Sequence, residues 1–165
     1  MKARVVYESL WGNTAKIARA IAEGIGPEAR AVSTAEATGD VLAGIDLIVA
    51  GAPLLAFGLP TEAIRESIRK DSGSAPSPPD LSHPSMRAWL EGLPPGEGRA
   101  AAFETRIWWS PGGAIGAISR GLKRAGYSPV AKGRRFIVTG KYGPLRDGEL
   151  DRARQWGRAL AQAMA

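Results

Sequence analysis

Apolar positions along this chain follow two alternating patterns. Short continuous runs, such as Val5-Val6-Tyr7 and Leu47-Ile48-Val49-Ala50, read as buried strands. Between them apolar residues recur at helical spacing. Thr14, Ile17, Ala18, Ile21, Ala22 and Ile25 line one face, as do Leu150, Ala153, Gly157, Leu160, Ala161 and Met164. The pattern predicts strands over about 3–8, 28–33, 46–51, 99–105 and 134–140. It predicts helices over about 14–25, 61–70, 85–92, 113–126 and 148–164, the last with Asp147 as its N-cap. Residues 53–60 read as a loop. Residues 71–84, rich in Ser, Pro and Gly, read as an exposed loop.

Five strands separated by helices predict an α/β fold: a doubly wound parallel sheet between two helical layers. No linker divides the chain, so residues 1–165 are expected to form a single domain. Ligands of such sheets bind at the carboxyl ends of the strands. That rule selects three loops: 9–14, 53–60 and 105–113. The first is the most informative. It carries Ser9, Leu10, Trp11, Gly12, Asn13 and Thr14 between a strand and a helix. Free N–H groups and the helix dipole at that junction suit an anion. Ser9, Asn13 and Thr14 add side-chain donors, and Gly12 permits close backbone approach. The loop reads as a phosphate cradle.

Composition narrows the chemistry. The chain has 165 residues and no Cys, which removes disulfides, thiolate metal sites and cysteine nucleophiles. Met1-Lys2-Ala3-Arg4 is followed by too few apolar residues for a signal peptide, and no apolar stretch is long enough to span a bilayer. A cytoplasmic protein is expected. Charge is divided unevenly. Residues 99–165 hold 13 Lys and Arg against 4 Asp and Glu, whereas residues 1–98 hold 9 against 12. The basic half is either a solvated face or a surface for an acidic partner.

Several phosphate-handling patterns are missing. Only Gly12 stands where a dinucleotide fingerprint needs three glycines, and no Walker loop is present. The third strand ends in Gly51-Ala52, without the Asp of a phosphorylated receiver. The single His, His83, lies in the Pro-rich loop, which argues against a Ser-His-Asp hydrolase.

The segment VVYESLWGNTAKIARAIAEGI resembles the N-terminal signature of the flavodoxins, a strand followed by [ST]-x-T-G-x-T and a helix. Ser9, Gly12 and Thr14 match. Trp11 departs, standing where the family often has Thr, although its indole N–H is still a donor. DLIVAGAPLLAFGLP is similar to the family's third strand and second flavin loop. AAFETRIWW and FIVTGKYGPLRDGELDRARQWGRALA are similar to later pieces of a flavodoxin-domain subgroup.

The resemblance implies strand order 2-1-3-4-5 and non-covalently bound FMN. Ser9 to Thr14 would hold the ribityl phosphate. Pro53, Leu54, Leu55, Ala56, Phe57 and Gly58 would flank the ring on one side, with Thr105, Arg106, Ile107 and Trp108 on the other. A broad flat ring stacks well on aromatic side chains, so Phe57 and Trp108 or Trp109 are the candidates. The function implied is electron transfer with a redox partner protein. The basic balance points to an acidic partner, where flavodoxins are usually acidic themselves. Two alternatives stand beside it: an FMN-dependent reductase using NAD(P)H to reduce a quinone or other acceptor, and a module without flavin that binds through its basic edge. Nucleic acid is not an expected partner, because Arg120, Lys123, Arg124, Lys132, Arg134, Arg135 and Lys141 form no recognition motif.

Overall fold

A computed structural model describes residues 1–71 and 73–165; Ser72, within the predicted 71–84 loop, lies outside the described residues. The elements follow the predicted alternation. They run β1 (Ala3–Tyr7), α1 (Asn13–Ile25), β2 (Ala29–Ser33), α2 (Gly39–Leu42), β3 (Leu47–Pro53), α3 (Glu62–Lys70), α4 (Met86–Glu91), β4 (Arg99–Ile107), α5 (Ile115–Arg124), β5 (Ser128–Pro129), β6 (Arg134–Val138) and α6 (Glu149–Met164).

All strand pairs are parallel, in the order β2-β1-β3-β4. The fifth place is filled by two pieces. Ser128 and Pro129 pair with Arg99 and Ala100. After a break, Arg134–Val138 pairs with Phe103–Ile107. Sequence patterning captured only the longer piece, because two residues carry no periodicity and Pro129 has no N–H to give a ladder.

The period of two decides which layer each strand residue meets. Ala3, Val5, Leu47, Val49, Ala101 and Phe103 bury one face together with Ile17, Ile21, Trp156 and Leu160 of α1 and α6. Val6, Ile48, Ala50, Ala100 and Ala102 bury the other with Met86, Trp89, Ile118 and Leu122 of α4 and α5. Helices α1 and α6 meet backbone to backbone. A Cβ on Gly24 would strike the Arg154 carbonyl, and one on Gly157 would strike that of Ile21.

Two sequence expectations need correction. Asp147 does not cap α6. Gly148 takes the N-cap position in a left-handed conformation, with no side-chain cap. Glu149 turns inward instead and accepts from the Ile137 N–H at 2.7 Å, held by Arg146 and Arg152. The 71–84 segment forms no helix or strand among its described residues, as expected, but it is not exposed throughout. His83 is buried, and the Asp80 N–H bonds the Leu10 carbonyl. The segment folds back onto the first loop.

Candidate functional site

The strand sequence Val5-Val6-Tyr7 runs straight into the loop 8–12, and the chain turns into α1 at Gly12, whose φ of 94° suits a residue without a side chain. Ser9 organises the turn. Its Oγ accepts from the N–H groups of Gly12 (3.1 Å) and Ala15 (3.2 Å). Lys16 N–H bonds the Gly12 carbonyl. The N–H groups of Asn13 and Thr14 have no acceptor among the described residues, as expected in a first helical turn. Thr14 Oγ1 lies 2.8 Å from Thr105 Oγ1, joining the first loop to the third. The third loop is joined to the second by Leu54 N–H to Thr105 O (2.9 Å) and Gly113 N–H to Phe57 O (3.2 Å).

These bonds bring the three loops around one cleft of about 190 Å³. Ser9, Leu10, Trp11, Asn13 and Thr14 line it, with Pro53, Leu54, Leu55 and Ala56 from the second loop and Thr105, Arg106 and Ile107 from the third. Five of the residues singled out from sequence do not line it. Gly12 and Gly58 serve as turns. Phe57 and Trp108 stand 71% and 73% exposed at the rim, and Trp109 is 64% exposed. Ala56 and Phe57 both have positive φ, 48° and 72°, between the reciprocal backbone bonds of Leu55 and Gly58. Two consecutive residues with side chains in that region are costly, and the strain sits at the cleft's edge.

Arg106 is not a surface cation. It is buried, and its guanidinium donates to the carbonyls of Gly112 (2.9 Å) and Ser110. It braces the third loop.

Sequence reasoning missed a fourth wall. Val138 and Lys141 form it, and Ser110 of the third loop also lines the cleft. The loop after β6 closes over the cradle, with Asn13 Nδ2 donating to Tyr142 O at 3.1 Å. Trp11 meets the Tyr142 ring edge-on, with centroids 4.7 Å apart. The rule that selected the carboxyl ends of the other strands, applied to the strand ending at Val138, points to this loop too.

One polar atom of a lining residue is left over. Trp11 Nε1 is buried and has no hydrogen-bond partner. A buried donor left unpaired costs about 1–3 kcal/mol. The N–H groups of Asn13 and Thr14 and the ammonium of Lys141 are donors without an acceptor among the described residues. Among the described residues no carboxylate or imidazole lines the cleft.

Behind the cradle lies a charged cluster that patterning did not foresee. Ser9 N–H donates to His83 Nε2 at 3.3 Å, so that nitrogen carries no proton; His83 Nδ1 lies 3.6 Å from Asp80 Oδ1. Burial lowers the His83 pKa, and Asp80 opposes that shift. Hydrogen bonds from Ser82 lower the Asp80 pKa. Glu8 is fully buried beside Arg65 (3.7 Å) and accepts from the Met86 N–H at 2.9 Å. Burial pushes its carboxyl up to about 7 against the pull of those two partners. Arg65 in turn donates to the His83 carbonyl at 2.6 Å.

No family model and no curated protein sequence matches the chain. Solved structures do. A flavodoxin from the domain Archaea superposes with a TM-score of 0.67 at 20% identity, over 99% of both chains. Flavodoxin 2 from Bacillus cereus gives 0.69 at 17% identity, over 98% of this chain and 99% of the other. The Flv1 flavodiiron core from Synechocystis sp. PCC6803 gives 0.61 at 22% identity, over 99% of this chain but 36% of its own length. Strand order, helical layers and these superpositions agree: this chain has the flavodoxin-like fold.

Proposed function

We propose that the cleft binds FMN and that the protein, a single domain over residues 1–165, is an electron carrier of the cytoplasm. The observation that carries this reading is the unpaired donor set at the cleft's closed end. The N–H groups of Asn13 and Thr14, both residues of the lining, have no acceptor among the described residues, and Lys141 stands on the same wall. A phosphate supplies several acceptors at once, and a helix N-terminus suits its charge. The likeness to flavodoxins supports the same reading.

A cleft of about 190 Å³ is smaller than the roughly 300 Å³ at the lower end for small-molecule sites. Phosphate and ribityl chain match its polar end. The ring belongs with the apolar mouth, where Leu54, Leu55 and Ile107 line the wall and Phe57 and Trp108 stand exposed beside it. FMN accepts and donates electrons; the residues here bind and orient it. Ser9 fixes the cradle, Thr14 and Thr105 hold the first and third loops together, and Arg106 stiffens the third loop from behind. The basic balance of residues 99–165 fits an acidic redox partner.

The test is equilibrium dialysis against FMN followed by a visible absorption spectrum. Retained flavin bands in one-to-one proportion with protein are expected. A colourless protein after dialysis overturns the reading.

A further inference from the structure

The backbone of the first loop is held from behind. Ser9 N–H donates to His83 Nε2 at 3.3 Å, and Leu10 O accepts from the Asp80 N–H at 2.8 Å. Among the described residues these two backbone groups have no other hydrogen-bond partner. Residues 80–83 therefore set where the loop turns from β1 to α1. The anchor is itself fixed. Arg65 donates to His83 O at 2.6 Å, and Thr34 Oγ1 donates to Pro84 O at 2.7 Å. His83 is buried and does not line the cleft, whereas Ser9 does. The imidazole acts on the cleft through Ser9. Ser9 Oγ in turn accepts from Gly12 and Ala15, so its position fixes the entry to α1.

The contact works in one protonation state only. Nε2 accepts a hydrogen bond from a main-chain N–H, so the ring proton sits on Nδ1, 3.6 Å from Asp80 Oδ1. A second proton, on Nε2, would set N–H against N–H. The Ser9 peptide has no other acceptor among the described residues and would have to move. Burial opposes the imidazolium most. Asp80, in the same segment, favours it, and Arg65 of α3 opposes it. Arg65 is paired with Glu8, which follows β1, and Glu62 and Arg87 act on Glu8 in turn. The start of α1, Asn13 to Ala15, carries no charged side chain.

We propose that His83 is a positioning residue of the cradle, and that its neutral imidazole is needed to keep the phosphate of FMN bound. This rests on the flavin reading above. Protonation of Nε2 releases Ser9, loosens the turn at Gly12 and weakens the phosphate site. A bound phosphate taken alone would draw a proton onto the ring and raise affinity in acid. Loss of the Ser9 contact has the opposite sign. It dominates because it acts at contact distance, while the ring does not line the cleft. By linkage, bound FMN holds His83 neutral, and acidification releases flavin.

His83 is the chain's one histidine, so its ring C–H signals stand alone in the NMR spectrum of the whole protein. The experiment follows them from pH 8 to pH 5, with and without saturating FMN. Fluorescence quenching measures FMN affinity over the same range for wild type, His83→Gln and His83→Ala. FMN should move the His83 titration to lower pH. Wild-type affinity should fall about threefold or more further than that of His83→Gln, whose amide takes no charge. The flavin phosphate titrates near pH 6 or so by itself, about equally for all three proteins, and cancels in that comparison. At pH 8 His83→Gln, which keeps an acceptor for Ser9, should bind FMN more tightly than His83→Ala. A His83 titration that FMN leaves unmoved or raises, parallel affinity profiles for wild type and His83→Gln, or equal binding by the two variants each overturn the proposal. If wild type binds no FMN at pH 8, the flavin reading fails and takes this one with it. Binding with parallel profiles removes only the role of His83.

Discussion

Glu8 and Glu104 hold equivalent places in the sheet and meet opposite surroundings. Glu8 directly follows β1 and Glu104 lies in the carboxyl-end half of β4, both on the face turned to α4 and α5. Each is fully buried and accepts one N–H from the start of a helix, Met86 for Glu8 and Ala114 for Glu104. Each keeps one oxygen without a hydrogen bond. Burial raises the pKa of both. The difference lies in what covers the spare oxygen. Glu8 is sealed by Arg65, itself buried and bonded to the His83 carbonyl. Glu104 has buried Arg106 on one side and Arg135, 64% exposed, on the other, and it faces an open groove. The same carboxylate–helix contact is backed by a buried guanidinium in one place and by a largely exposed one in the other. The distinguishing feature is access, not charge.

The largest effect expected from breaking the sealed half is at Arg65. Arg65→Ala leaves Glu8 buried without its cation, and at pH 8 urea unfolding should show a loss of about 3 kcal/mol or more. A loss under about 1 kcal/mol would remove the contrast.

Next comes pH. Glu8 holds its proton to about 7 in the folded protein, well above its ordinary value near 4.5. The folded state therefore binds this proton more tightly than the unfolded state. The resulting stability is fully present below about pH 4.5 and declines as pH rises to about 7, by about 3 kcal/mol. His83 runs the other way: its lowered pKa makes stability fall as pH drops below about 6.5. Comparing wild type with Glu8→Gln across pH 5–8 isolates the Glu8 slope, which the variant should lack. An unchanged slope contradicts the assignment.

His83→Ala is expected to cost about 2 kcal/mol, because the Ser9 N–H loses its acceptor. FMN affinity should fall with it, since Ser9 sets the cradle. His83→Gln, which restores an acceptor, should recover part of both. The smallest effect belongs to the open half. Arg135→Ala should change stability by less than about 1 kcal/mol, because its exposed guanidinium is screened by water. A larger loss would make Glu104 a second brace.

The alternation of runs and helical stripes made most of the fold legible from sequence. Buried parallel strands are continuously apolar, and amphipathic helices repeat at 3.6, so β1, β3, α1 and α6 stood out. What escaped was short or tertiary. Gly39–Leu42 and Ser128–Pro129 are too brief to show a period. The α6 cap went to Gly148 because the Glu149 side chain was needed inside. His83 read as a loop residue because Pro and Ser surround it; its burial depends on the 71–84 segment returning to the first loop, which no local pattern encodes. Lys141 and Tyr142 were hidden for a similar reason, since their place over the cradle depends on how far the loop after β6 reaches. Trp11, odd against the flavodoxin pattern, packs edge-on against Tyr142 and ties the first loop to the one after β6.

The cradle is tested most directly by titrating flavin fluorescence with the protein, using FMN and riboflavin in parallel. The two differ only in the phosphate that the Ser9–Thr14 loop is argued to hold. FMN emission should be quenched to a plateau at one equivalent, with riboflavin bound about tenfold or more weakly. Equal affinity for the two flavins, or no quenching by either, would contradict the account.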